Sequence, residues 1–498
     1  MAAMRPKLLR GAGWLMGARL GFNLLGLVST LVLARLLTPA DFGLVAIAVS
    51  VNAVLSSLFT MSATAALVRL DEVTDDHLGT AFTLTFARSL LIAAGLAIAA
   101  WPMALVYDDP RLAPLILVIA GGMLLPGLAN PALVALQRKL QFWQEFVLQI
   151  SEKLAAVVAA ILIAWLTGSY WALVLGTVAG RAASLVASYA ILPYLPRPTL
   201  KEWRTIWGFT GWLSAGTVLS TLNFRLDQFF IGGILGQSAL GQYVVGDDLA
   251  ALPVREATRP LTSLLYPAFS TMKDRADQLR RVYLQSMSVV FAVAMPLGIG
   301  FALVAEPVIL LLMGEKWSGA IIVIETLGVF FAARAFTMPS EPIAMTVGAT
   351  KILFYRTLIN FVVRAPLALG ALFLAGLPGL LAARLFSGFM MIALSATMVR
   401  YLIGLKLADQ FAAVWRTLIG IAAMAGAVLA WRSRFGWSVE TPEAMWFELF
   451  GVAAGGAVIY VAVHLALWVA CGRPRGAEQE ILRLVSQLLG KVSGRRAV

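Results

Sequence analysis

One cysteine and two histidines are all that 498 residues offer of thiolate and imidazole metal ligands. Cys471 alone excludes a disulfide within the chain and any multi-cysteine metal site. His77 and His464 lie far apart in sequence, which argues against a histidine metal cluster. Charge is scarce too. Asp, Glu, Lys and Arg make up 13% of the chain, about half the share of a soluble domain. The signatures G-x-x-x-x-G-K-S/T, H-E-x-x-H and G-x-S-x-G do not occur. The reading therefore expects no catalytic residue, no metal, no cofactor and no enzyme.

What the chain has in excess is apolar surface. Hydrophobic residues are 60% of it and the mean hydropathy is +0.85. A single water-soluble core cannot absorb that much, because growing cores split into domains with polar surfaces. A bilayer span needs about twenty mostly apolar residues. Such stretches fall near 12–35, 42–67, 81–106, 112–136, 147–167, 171–194, 208–235, 242–268, 283–304, 319–345, 357–375, 380–402, 413–431 and 444–470. The expected fold class is all-α, a polytopic membrane protein with about fourteen transmembrane helices. Met1–Arg10 is basic and leads into a full span, so no cleaved leader is expected.

Lysine and arginine outnumber acids 39 to 26, a net charge of +13. With the N-terminus placed inside and loops assigned alternately, 23 basic residues fall in cytoplasmic segments and 5 in outside ones. That bias places both termini in the cytoplasm. It also accounts for the basic charge without nucleic acid as a partner.

Leu36-Leu37-Thr38-Pro39-Ala40-Asp41-Phe42-Gly43 joins the first two spans, and Ile234-Leu235-Gly236-Gln237-Ser238-Ala239-Leu240-Gly241 joins the seventh and eighth. They align at a constant offset of 198, Gly43 on Gly241. Six spans separate the copies, so the repeat is parallel and its axis runs along the membrane normal. Tight turns also favour Gly, Pro and Asp for reasons of their own.

The spans around these turns carry polar stripes at helical spacing. Span 1 has Arg19, Asn23, Gly26 and Thr30, with Gly13, Gly17 and Gly21 on nearly the opposite face. Span 2 has Asn52, Ser56, Thr60 and Thr64, and span 7 has Ser214, Thr217, Thr221, Arg225 and Gln228 beside Asp227. Span 8 has Asp248, Arg255, Arg259 and Thr262. Hydroxyls in such positions often bond their own helix carbonyls. Arg255 and Arg259 are sharper, because like charges one turn apart repel and need a carboxylate or an anionic ligand. Glu256, Asp248 and Asp227 are the nearby carboxylates; the guanidinium fork equally suits phosphate. Glu325, Arg334, Glu341 and Arg364 fall in spans 10 and 11 and are candidates for an ion-pair network or, at Glu325 and Glu341, for proton or sodium coupling. Spans 1–6 hold no carboxylate near mid-membrane. His464 reads as a satisfied packing histidine. Ile481, Leu484, Val485, Leu488, Leu489 and Val492 give the basic tail an amphipathic pattern suited to anionic membrane lipids.

Leu33-Ala34-Arg35-Leu36-Leu37-Thr38-Pro39-Ala40-Asp41-Phe42-Gly43, followed in order by Leu136-Gln137-Arg138-Lys139-Leu140-Gln141-Phe142, Asp227-Gln228-Phe229-Phe230-Ile231-Gly232, Leu240-Gly241-Gln242-Tyr243 and Met313-Gly314-Glu315-Lys316-Trp317, resembles the polysaccharide transporter family. These are oligosaccharide flippases of the multidrug/oligosaccharidyl-lipid/polysaccharide exporter superfamily. The resemblance implies two pseudo-symmetric six-helix bundles facing a central cavity, with two further helices. On this chain that gives a basic N-terminus at 1–11, bundles at 12–200 and 201–405, helices 13 and 14 at 406–470, and a cytoplasmic tail at 471–498. It also implies undecaprenyl-phosphate-linked or pyrophosphate-linked oligosaccharides as substrates, with polysaccharide polymerase or assembly proteins as candidate partners. The expected cavity residues are then Arg19, Asn23, Asn52, Arg225, Asp227, Arg255 and Arg259. A cation-coupled multidrug exporter of the same superfamily is the alternative; organic cations would want buried acids, and the first bundle offers Arg19 instead. A membrane-embedded glycosyltransferase would want a large outside loop, and the longest, Arg432–Glu443, has about a dozen residues.

Overall fold

The computed structural model of the chain describes residues 21–23, 25–59, 67, 70, 73–134, 143–203, 211–437, 441–473 and 478–479, with the backbone alone at 211–215. Arg19, Gly13, Gly17, Thr60, Thr64, the motif at 136–142 and the amphipathic tail lie outside the described residues, as does the Ser214 side chain.

Among the described residues every regular element is helical. The first half of the chain forms α1 (Gly21–Leu36), α2 (Pro39–Leu58), α3 (Asp75–Val106), α4 (Leu112–Gly127), α5 (Trp143–Thr167), α6 (Trp171–Ile191) and α7 (Gly211–Ile234). α8 (Gly236–Ser263), α9 (Ala276–Leu303), α10 (Gly319–Arg334), α11 (Thr350–Ile403), α12 (Trp415–Phe435) and α13 (Pro442–Ala470) follow. Nine described helical stretches are long and apolar enough to cross a membrane, and α1 and α4 are shorter apolar helices. α7 and α8 have the length but fall short in apolarity. α11 bends at Ala375 and Gly376, the glycine taking φ +61°, which side-chain-bearing residues rarely adopt; it is two helices end to end.

The helix starts are written locally. Thr38 caps α2: the Asp41 amide donates to its Oγ1 (3.3 Å), the Thr38 amide donates to Asp41 Oδ2 (2.9 Å), and Pro39 occupies the first turn. Thr74 and His77 do the same for α3, and Thr441 with Pro442 opens α13.

The chain divides into two compact units, residues 1–241 and 242–498. In the first, α3 pairs with α4, α5 with α6, and α7 runs along α2. Gly176 and Gly180 let α6 approach Ala160 and Ala156 of α5 so closely that a Cβ at either position would clash. Small residues at such crossings are how helices pack in lipid, where burial of apolar surface gives no advantage.

The second unit is built on α9, which packs against α10, α12 and α13. Phe269, Tyr283, Met287, Phe291, Phe336, Met424 and Tyr460 form its core. The Tyr460 hydroxyl donates to the Ala292 carbonyl (2.7 Å). Beyond α13, Glu478 is buried and accepts from Arg416 of α12 (2.8 Å), with His464 Nε2 at 3.1 Å. His464 thus touches a buried carboxylate as well as packing within the unit. Burial pushes the Glu478 carboxyl up, but bonds from His464, its own backbone and Arg416 together hold it down at about 2. Arg356 is buried within α11.

Candidate functional site

The polar stripes of α2 and α7 meet in the first unit. A cavity of about 490 Å³ is lined by Ala53, Ser56 and Ser57 of α2 and by Thr217, Ser220, Thr221, Phe224 and Arg225 of α7. Five hydroxyls, one guanidinium and one exposed phenyl ring face this space. Helical spacing alone accounts for Ser56, Thr217, Thr221 and Arg225; Ser57, Ser220 and Phe224 join because they sit one residue off those stripes.

Arg225 is held rather than loose. Its Nη1 donates to Gln228 Oε1 (2.8 Å), one turn along α7. Gln228 is buried and also accepts from Ser50 of α2. The guanidinium lies 5.3 Å from the Phe224 ring centroid. A side chain so anchored at mid-helix holds a fixed place in the wall of the cavity, so meeting a ligand there costs it little further freedom. Some hydroxyls are spent on their own helices: Thr221 donates to the Thr217 carbonyl (2.8 Å) and Ser57 to Val54 (2.6 Å). With their protons so engaged, these hydroxyls of the cavity lining are left chiefly as acceptors, a complement to sugar hydroxyls.

The other expected site residues are distributed more widely. Asn23 is half-buried on α1. Asn52 accepts from Ser56 (3.3 Å). Asp227 is almost fully buried in α7. Arg255 and Arg259 are exposed on α8, and Arg255 pairs with its neighbour Glu256 (3.3 Å). Glu325 and Glu306 share Arg432 of α12 at 3.2 and 2.7 Å. Glu341 pairs with Arg356 (2.7 Å).

A buried charge pair escaped the sequence reading. Arg384 of α11 and Asp247 of α8 lie 2.6 Å apart, each side chain 7% exposed. Arg384 also donates to the Tyr243 hydroxyl and sits among the rings of Tyr243, Phe330 and Phe331. Asp247 stands beside Asp248, the residue picked out by spacing, and Arg384 sits in a run that otherwise reads as plain apolar helix.

The repeated turns are in direct contact. A Cβ on Gly43 would meet the Gln237 carbonyl, and a Cβ on Gly241 would meet the Pro39 carbonyl. Pro39 and Gln237 stand at the same offset of 198 as the two glycines. Each turn therefore fits the other by the same pair of positions, as a two-fold repeat requires. Gln237 is gripped from the turn between α3 and α4 as well. Its amide donates to Asp109 Oδ2 (2.5 Å) and accepts from Arg111 Nη2 (3.2 Å), while Arg111 pairs with Asp109 (2.7 Å). The Arg111 hydrogen bonds chiefly hold the Asp109 carboxyl at about 2, against its burial, with Gln237 adding to them.

Comparison with known proteins adds four likenesses. Residues 32–322 match the family described as "Polysaccharide biosynthesis protein". The chain is 26% identical over 472 residues to the succinoglycan biosynthesis transport protein ExoT of Rhizobium meliloti, covering 92% of each. It is 23% identical over 413 residues to the lipopolysaccharide biosynthesis protein WzxC of Escherichia coli, 81% of this chain and 82% of that one. Among solved structures, the lipid II flippase MurJ in an inward closed conformation superposes with TM-score 0.69 at 14% identity, over 92% of this chain and 100% of that one. At that identity the likeness bears on the fold alone: a polytopic bundle of helices.

Proposed function

Since the chain belongs to the polysaccharide biosynthesis protein family, we propose that it is a flippase. It carries oligosaccharide units linked to undecaprenyl phosphate or pyrophosphate from the inner to the outer leaflet of the inner membrane. No covalent bond changes. The observation that carries this reading is the cavity of Ser56, Ser57, Thr217, Ser220, Thr221, Phe224 and Arg225. Hydroxyls and an aromatic ring suit a sugar, and an anchored guanidinium suits the phosphate that joins it to its lipid. The relatives named for succinoglycan and lipopolysaccharide biosynthesis support the same class of substrate.

In this reading bundles at 12–200 and 201–405 alternate access around the cavity, with both termini cytoplasmic. Arg19, Asn23, Asn52, Asp227, Arg255 and Arg259 extend the polar path. Proton or sodium coupling at Glu325 or Glu341 would first have to break their ion pairs with Arg432 and Arg356. The exporter alternative fits less well, since the described cavity offers a cation and no carboxylate to an organic cation.

The test is export in a strain deleted for its own flippase. The wild-type chain should restore surface polysaccharide, and Arg225→Ala should accumulate normally but export at least about ten-fold less. Wild-type export by Arg225→Ala would overturn the role of this cavity.

A further inference from the structure

α13 ends in a tight reversal. The amides of Cys471, Gly472 and Arg473 donate to the carbonyls of Leu467, Val469 and Trp468, each at 3.0 Å. Gly472 takes φ +79°, the left-handed glycine that closes a helix and turns the chain away from its axis. Arg473 follows with φ +56°, rare outside glycine, and its guanidinium lies 5.9 Å from the Trp468 ring centroid. The chain leaving α13 is thus held against the last turn of its own helix.

It then returns to a definite place. Glu478 is 3% exposed. Its two carboxylate oxygens accept from Nε and Nη2 of Arg416, at 2.8 and 3.2 Å, the two-pronged fit of guanidinium to carboxylate. His464 Nε2 stands 3.1 Å from Oε1. His464 Nδ1 has no hydrogen-bond partner among the described residues, so a single ring proton belongs on Nε2, facing Glu478.

Arg416 lies within the expected membrane stretch 413–431, and His464 within 444–470. His464 is six residues before Ala470, the last of α13. Six residues rise about 9 Å along a helix, so Glu478 has come back about that far from the helix end. A helix lying in the plane of a membrane surface sinks its apolar side roughly 5–10 Å. The clamp therefore delivers the chain at that depth, just before Ile481 begins the apolar positions of the tail. Residues 480–498 are read from the sequence alone: Arg483, Lys491, Arg495 and Arg496 stand there against Glu480. Arg416 neutralises Glu478, which would otherwise oppose an anionic surface. A tail meant for a soluble protein has no use for a carboxylate carried back to membrane depth.

We propose that Glu478 is a positioning residue that holds the start of the C-terminal segment at membrane depth, so that residues 481–496 bind anionic lipid headgroups. The inference is independent of the flippase reading, since it rests on the end of α13 and its clamp.

The experiment treats the full chain in lipid nanodiscs with trypsin and times cleavage after Arg483 and Lys491 by mass spectrometry. Discs of phosphatidylcholine are compared with discs of an equal mixture of phosphatidylcholine and phosphatidylglycerol. Lys273, exposed in a turn of the same unit, is the internal control. Cleavage of the wild-type tail should be at least about ten-fold slower in the anionic discs. Glu478→Gln should be cut at least about five-fold faster than wild type there, with the rate at Lys273 unchanged. The direction is decisive. By charge alone, Glu478→Gln makes the tail more basic, so it would hold anionic lipid better and be cut more slowly. Arg416→Gln opens the clamp from the other side and should also speed cleavage; if it fails to accumulate, the Glu478→Gln comparison decides. A Glu478→Gln tail cut no faster than wild type overturns the clamp. Equal wild-type rates in neutral and anionic discs overturn lipid as the partner. Either result overturns the proposal.

Discussion

Gly43 and Gly241 stand 198 positions apart, and each faces a backbone carbonyl of the other's turn, Gly43 that of Gln237 and Gly241 that of Pro39. The obstacle to a side chain at either place is backbone and cannot swing aside. Gly43→Ala and Gly241→Ala should each lower stability by about 1–3 kcal/mol. The double variant should lose less than the sum, since one added methyl already separates the turns. Thermal unfolding of the four proteins checks this; strict additivity would mean that the two glycines do not share a contact.

Asp109 gives the same region a pH signature. Its carboxyl is held at about 2 in the folded chain, below the ordinary 3.8. The folded state thus favours the charged form. The resulting stabilisation is complete above about pH 4 and is lost as pH falls toward 2. Asp109→Asn should destabilise at neutral pH by about 1 kcal/mol, because Arg111 is half-exposed and solvent screens the pair. The gap between variant and wild type should shrink below pH 4. Melting temperatures across pH 3–7 test it, and a gap that widens in acid would contradict it.

Arg384 and Asp247 should behave as a buried pair. Asp247→Asn leaves a guanidinium among three rings without its counter-charge and should cost about 3–5 kcal/mol. Replacing both, by Asp247→Leu with Arg384→Met, should cost markedly less than either single change. Unfolding midpoints in detergent decide this, and a double variant as damaged as the sum of the singles would rule it out.

Gln228→Leu removes the acceptor that anchors Arg225 and receives Ser50. Export should fall by about ten-fold with the protein still accumulating. Gln228→Glu keeps an acceptor and should retain more activity. The comparison of the two, by surface polysaccharide per unit of membrane protein, separates positioning of Arg225 from general packing.

The sequence reading was strongest where a period was at work. Apolar stretches of span length, and Ser56, Thr217, Thr221 and Arg225 on two helical faces, follow from 3.6 residues per turn. The offset of 198 located the turns that touch. What the period could not reveal was pairing across elements. Arg384 and Asp247 are 137 residues apart, and nothing local marks either as the other's partner. The interruption of the expected span 319–345 was hidden for a related reason: α10 stops at Arg334 and a 3-10 turn covers Ala335–Thr337, yet Ala335-Phe336-Thr337-Met338 is apolar enough to pass as continuous helix. Arg255 and Arg259 looked like a unit because they share a face, yet Arg255 turns to its own neighbour Glu256.

α7 and α8 lie in the expected spans 208–235 and 242–268, yet they are less apolar than the nine stretches that qualify to cross a membrane, and the cavity and the buried Asp247 draw on them. A nascent helix of that kind has little reason to leave the translocon for lipid by itself. Its polar side chains become tolerable only once partners stand ready: Ser50 of α2 for Gln228, and later Arg384 for Asp247. Biogenesis of this protein therefore has an order built into it. The earlier helices must wait in the membrane to receive α7, and α8 stays in debt until α11 is made.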